Sequence, residues 1–183
     1  MFIFRNAAEN IIYSYTTTSV GELIDGCILI TTPFPKFDFY IQRFGTPIIT
    51  VLNEDTSIKN ILTDNFYNDF IDFINIPCYD RIISFKEQYD IVSSFFTLNM
   101  QKDDLLWQYS VENLCYYLKP GGLLFINGFF NRTFENATLK FRSENLYKVV
   151  VNHFNCVIID IIENKLPLKN AIGDSVIIIK KNE

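Results

Sequence analysis

The sequence predicts an α/β fold: a largely parallel sheet with helices on both faces, closed by an antiparallel strand. Three observations lead there. Seven short apolar runs recur along the chain, several of them almost continuous, as strands covered on both faces require. Helical patterns fall between most of these runs, which implies right-handed crossovers between parallel strands. The last two runs have no helical pattern between them, so they pair as an antiparallel hairpin.

The elements follow in order. "CILIT" (27–31) is the first strand. It stops at Thr31-Thr32-Pro33-Phe34-Pro35, and a short helix over 36–44 follows, with Phe37, Ile41 and Phe44 on one side. "PIITVLN" (47–53) is the second strand, and Thr56 or Ser57 is a natural N-cap for a helix over 56–69. "FIDFINI" (70–76) is the third strand and "YDIVSSFFTL" (89–98) the fourth. The pattern over 102–118 is the clearest helix. Asp103 and Asp104 stand at its dipole-positive start, Leu106, Tyr109, Leu114 and Tyr117 supply apolar faces, and Pro120-Gly121-Gly122 ends it. "GGLLFING" (121–128) is the fifth strand, 143–153 a further helix, "CVIIDII" (156–162) the sixth strand and "DSVIIIKK" (174–181) the seventh, with a loop over 164–173.

The chain has 183 residues, which suits one domain, 1–183, with 1–20 as an N-terminal extension. It is 49% hydrophobic with 18 Phe and 10 Tyr, ample for a core and contrary to intrinsic disorder. The net charge of −5, without a basic block, argues against nonspecific nucleic-acid binding, leaving only a local basic patch around Lys140 and Arg142 to consider. Cysteines at 27, 78, 115 and 156 are too widely spaced for a zinc site. Cys27, Cys115 and Cys156 read as buried small hydrophobes, and Cys78 falls in a loop. No run reaches the length of a membrane span, and the apolar start "MFIF" is too short for a signal peptide, so a cytoplasmic, reducing location is expected. The only histidine, His153, falls near the end of a helix and reads as structural or surface.

The stretch 89–128 carries a resemblance. Tyr89-Asp90-Ile91-Val92, an apolar strand, a helix and then Leu118-Lys119-Pro120-Gly121-Gly122 before another apolar strand resemble the fourth-strand to fifth-strand block of class I S-adenosylmethionine-dependent methyltransferases. The order of elements extends the resemblance over residues 20 to 181. It implies a Rossmann-like seven-stranded methyltransferase sheet of order 3-2-1-4-5-7-6, with strand 7 antiparallel. The block itself speaks for fold more than for chemistry, since it is a helix stop and a strand start.

The same resemblance implies where a cofactor would sit. The turn after the first strand has three glycines in this family, which let the backbone pass close to the methionine end of S-adenosylmethionine. Here those positions are Thr31, Pro33 and Pro35, and Leu29 stands where an acidic residue is common. Proline removes an N–H donor, although Pro35 suits a first helical turn. Thr31 and Thr32 hydroxyls would replace some of the lost contacts. At the end of the second strand Glu54 and Asp55 stand where the family holds the ribose, Asp55 first, although Asp55 also suits a helix N-terminus. Asp80 matches an adenine-contacting position or, with Arg81, a surface loop pair, and Phe95 completes the implied cofactor set. Asn99, Asn131 and Arg132 lie on the implied acceptor side. The resemblance therefore implies S-adenosylmethionine held weakly or not at all. Two readings follow: a degenerate, non-catalytic binding or partner subunit, or an active methyltransferase with an atypical cofactor loop.

Overall fold

In the computed structural model the described residues are 26–31, 47–54, 71–95, 97–128, 140, 142–163 and 175–183. The helices expected over 36–44 and 56–69, the loop 164–173 and the first 20 residues lie outside them.

Seven strands form one sheet: β1 (Cys27–Ile30), β2 (Ile48–Leu52), β3 (Ile71–Ile74), β4 (Tyr89–Ser94), β5 (Leu118–Gly128), β6 (Cys156–Glu163) and β7 (Ser175–Lys181). Their order is β3-β2-β1-β4-β5-β7-β6. β1 pairs in parallel with β2 and with β4, and β4 in parallel with β5, while β7 runs antiparallel between β5 and β6. The expected strand order and the antiparallel seventh strand are both present. The apolar runs explain it: Ile28, Leu29 and Ile30 of β1 and Ile91 and Val92 of β4 are buried on both faces of the sheet.

Three α-helices lie among the described residues: α1 (Thr97–Met100), α2 (Asp104–Tyr117) and α3 (Glu144–Asn152). Trp107, Val111 and Leu114 of α2 and Tyr147, Val150 and Val151 of α3 share a core with Leu29, Val92, Leu124 and Ile177 of the sheet. At its centre the Trp107 indole meets the Tyr147 ring edge-on, 4.9 Å between centroids. Tyr109, expected on an apolar face of α2, is instead exposed; Trp107 and Val111 take the buried positions.

Both ends of α2 are satisfied. Asp103 is its N-cap, its carboxylate accepting from Leu105 N at 2.8 Å and Leu106 N at 3.0 Å. At the far end Glu87 N donates to Tyr116 O, Gln88 N to Tyr117 O, and the buried Lys181 ammonium to Leu118 O at 2.9 Å. A cation there also suits the negative end of the helix dipole.

Two boundaries differ from the sequence reading. β4 ends at Ser94 rather than continuing through Leu98, because the chain turns into α1 at Thr97 without glycine or proline to announce it. β5 begins at Leu118, three residues before the expected start, because Leu118 is drawn into register with Tyr89.

Candidate functional site

The chain steps outward from β1 to β2 and β3, then returns to place β4 on the other side of β1. The order reverses between β1 and β4, and in open α/β sheets ligands bind outside the carboxyl ends of the strands at such a point. Thr31 follows β1 there, and Ser93 and Ser94 end β4.

This crevice is bridged. Thr31 Oγ1 donates to Ser94 Oγ at 2.9 Å across the two strands, and Thr31 N donates to Ser93 O at 3.0 Å. The Thr97 hydroxyl, at the first residue of α1, donates to the Thr31 carbonyl. Thr31 and Ser94 are both fully buried. The Thr31 amide, hydroxyl and carbonyl therefore all have partners within the protein. Phe95 lies buried just beyond Ser94.

Cys78 closes the same region from the loop after β3. Its carbonyl accepts from the buried Asn113 amide at 2.9 Å. Burial pushes its thiol up to about 12, the Thr31 hydroxyl acting the other way and the Glu54 carboxylate adding to the rise. At neutral pH it is a protonated thiol rather than a nucleophile.

At the end of β2, Asn53 N donates to Ile74 O at 3.2 Å. Oriented to donate, the Asn75 amide reaches the carbonyls of both Asn53 (3.1 Å) and Glu54 (3.0 Å). Glu54 is exposed. Asp80 is exposed in the turn six residues past the end of β3, with its amide bonded to Pro77 O and its carbonyl receiving the Tyr117 hydroxyl. Neighbouring Arg81, itself exposed, donates from Nε to Asn113 Oδ1 at 2.7 Å and lies over the Tyr116 ring. The Arg81 guanidinium also lies 3.6 Å from the Glu112 carboxylate.

Asn99, expected on the acceptor side, is buried in α1, and its carbonyl accepts from Lys140 N at 2.9 Å. Lys140 and Arg142 do not form a basic patch. The Arg142 guanidinium is buried, stacks on the Trp107 ring, and donates to Gln101 O at 2.6 Å and to Asp104 Oδ1 at 3.2 Å, while Lys140 pairs with Asp104 at 2.7 Å. Arg142 is thus enclosed by the fold, while Lys140 is neutralised at the surface by Asp104. Thr32, Asp55, Asn131 and Arg132 lie outside the described residues, as do Pro33 and Pro35. His153 is the exposed C-cap of α3, away from the carboxyl ends of the parallel strands. Among the described residues no cluster of His, Cys, Asp or Glu is built to hold a metal, and no helix is long and apolar enough to cross a membrane.

Of the expected residues, Thr31 follows β1 and Phe95 follows β4, its neighbour in the sheet. Ser94 and Thr97, which engage Thr31, were absent from the sequence reading. The available signal was the Ser-Ser-x-x-Thr spacing of hydroxyls inside an otherwise apolar run.

No family model matches the chain, and no curated protein matches it. Solved structures do match its fold. The N-methyltransferase NodS from Bradyrhizobium japonicum WM9, solved with S-adenosyl-L-homocysteine, aligns with TM-score 0.74 at 12% identity, covering 98% of this chain and 87% of that one. The 1,6-didemethyltoxoflavin-N1-methyltransferase from Burkholderia thailandensis, solved with bound 1,6-didemethyltoxoflavin and S-adenosylhomocysteine, aligns with TM-score 0.68 at 13% identity, covering 97% and 79%. The cyclase SpnF aligns with TM-score 0.71 at 10% identity, covering 97% and 82%. The fold is that of class I S-adenosylmethionine-dependent methyltransferases, and it also serves a cyclase.

Proposed function

We propose that this chain is a degenerate methyltransferase-fold protein that acts as a non-catalytic binding or partner subunit. The bridged crevice carries the reading. In the family that the sequence resembles, the methionine end of the cofactor needs close, open backbone after β1. Here Thr31 is fully buried and its amide, hydroxyl and carbonyl are engaged by Ser93, Ser94 and Thr97. These residues do not fit that end of S-adenosylmethionine. Replacing their hydrogen bonds with those of a ligand gains little, because each pair lost offsets the pair made. The exposed Met100, Leu105 and Tyr109, beside the same end of the sheet, leave apolar surface consistent with a protein partner.

One observation favours the other reading, an active methyltransferase with an atypical loop. The backbone at the end of β2 is held by Asn75 and presents an exposed Glu54 next to Asp55, where the ribose would be met. Two of the similar structures carry S-adenosylhomocysteine.

Calorimetric titration with S-adenosylmethionine and S-adenosylhomocysteine separates the two. The non-catalytic reading expects no saturable heat and no thermal shift at millimolar ligand. Sub-millimolar binding that Asp55→Ala abolishes overturns it in favour of the enzyme.

A further inference from the structure

We infer that Thr31, Ser94 and Thr97 form a hydroxyl latch that determines what the β1/β4 crevice admits. The inference rests on the non-catalytic reading and deepens it by naming the residues that exclude a ligand. The excluded class is a nucleoside bearing a zwitterionic amino-acid arm.

The geometry separates this latch from ordinary sheet pairing. The bond from Thr31 N to Ser93 O continues the parallel ladder, in which Ile30 pairs with Ser93. It needs no particular side chain. The other two contacts depend on hydroxyls: Thr31 Oγ1 to Ser94 Oγ, and Thr97 Oγ1 to Thr31 O. Thr31 donates the first through its hydroxyl and accepts the second at its carbonyl. Ser94 holds the Thr31 side chain toward β4, and Thr97 draws the Thr31 carbonyl toward α1. Together they fix the first residue after β1.

A polar ligand end placed at this tip has to displace both contacts. Thr31 and Ser94 are fully buried, so no solvent is ready to take over the released hydroxyls. The latch therefore competes directly with the ligand, and removing its hydroxyls relieves the competition.

The test compares three proteins in titrations with S-adenosylhomocysteine, with thermal unfolding as the check on folding. They are the wild type, the double variant Ser94→Ala/Thr97→Val, and the control Thr97→Ser, which keeps the hydroxyl. The double variant is expected to bind at least about tenfold more tightly than wild type, since two hydrogen bonds no longer oppose the ligand. Thr97→Ser is expected to match wild type. A double variant that folds but titrates like wild type overturns the latch, as does a Thr97→Ser protein that gains as much affinity as the double variant. If the double variant does not fold, the single variant Thr97→Val is compared with Thr97→Ser, and equal affinities overturn the latch. Tight binding by wild type itself refutes the non-catalytic reading, whereas the ratio between variant and wild type judges the latch.

Discussion

Lys119 Nζ lies 2.8 Å from Asp90 Oδ2, and the same oxygen accepts the Cys27 N–H at 2.9 Å. These contacts join the Tyr89-Asp90 pair to the Leu118-Lys119-Pro120-Gly121-Gly122 block, the two motifs by which the sequence resembles its family. They also tie both to the first residue of β1. All lie at the amino ends of β1, β4 and β5, opposite the crevice. The most family-like residues of this chain therefore assemble the sheet. Replacing Asp90 by Ala leaves the partly buried Cys27 amide and the Lys119 ammonium without this acceptor, an expected loss of about 2 kcal/mol. Lys119→Met should cost less, below about 1 kcal/mol, because its side chain is 39% exposed and the pair is screened by solvent. Urea unfolding of both variants measures the order, and a larger loss in Lys119→Met contradicts it.

Two glycines in the same block differ in kind. A Cβ on Gly122 would stand 2.9 Å from Lys119 O, 3.1 Å from Asp90 O and 3.2 Å from Tyr89 O. These are backbone atoms in the β4/β5 pairing and cannot swing aside. Gly121 has φ +78 with open space around it, so a side chain there meets backbone strain but no neighbour. Gly122→Ala is expected to cost about 2–3 kcal/mol through overpacking, and Gly121→Ala about 1 kcal/mol through strain. Chemical denaturation gives both values, and the ranking is the point at risk.

The sheet was legible because each strand is an apolar run and the spacing between runs told helix from hairpin. Strand order followed from the motif block. What was not legible depends on contacts between distant residues. Leu118 joins β5 only because Tyr89 stands beside it, and nothing near Leu118 in sequence says so. The Phe95–Leu98 stretch is apolar enough to extend a strand, yet α1 begins at Thr97, where the Thr97 hydroxyl finds the Thr31 carbonyl. Thr31 was singled out as a departure from the glycine pattern. Its partners Ser94 and Thr97 lie more than 60 residues away, so their joining was hidden until β1 and β4 were side by side. Arg142 was hidden for the same reason: an arginine beside Lys140 reads as surface until Trp107 and the carbonyls of Leu98, Gln101 and Asp103 meet it.

Alkaline pH should destabilise the fold. Burial pushes the Cys78 thiol up to about 12, and the Tyr89 and Tyr147 phenols also to about 12. In the unfolded chain these groups titrate near about 8.5 for Cys and about 10 for Tyr. The folded state holds the proton more tightly, so the contribution is complete below the unfolded values and is lost as pH rises toward 12. Thermal unfolding should give a flat midpoint from pH 7 to 8 and a falling one above about pH 9. Tyr147→Phe, which has no phenol to ionise, should fall less steeply.

The Arg142 knot predicts the opposite behaviour in acid. Lys140 and Arg142 both pair with the exposed Asp104, whose carboxyl is held below its ordinary value, chiefly by the hydrogen bond from Lys140. The folded state therefore favours the ionised form. Its contribution is complete above the ordinary carboxyl value near about 4 and disappears as pH falls through the lower folded value. Asp104→Asn should lose stability at neutral pH and show a shallower decline between about pH 5 and pH 2 than wild type. Arg142 itself matters more than its partner. Its guanidinium is buried against Trp107 and donates to the carbonyls of Gln101, Asp103 and Leu98. Arg142→Met removes those donors from buried and partly buried acceptors and is expected to cost about 3 kcal/mol. Arg142→Lys keeps the charge but not the planar fork, so it should recover only part of that loss. Urea unfolding of the three variants at neutral pH tests the ranking, with Arg142→Met lowest, Arg142→Lys between and Asp104→Asn nearest wild type. If Arg142→Lys restores full stability, charge alone holds these segments together and the carbonyl bonds contribute little.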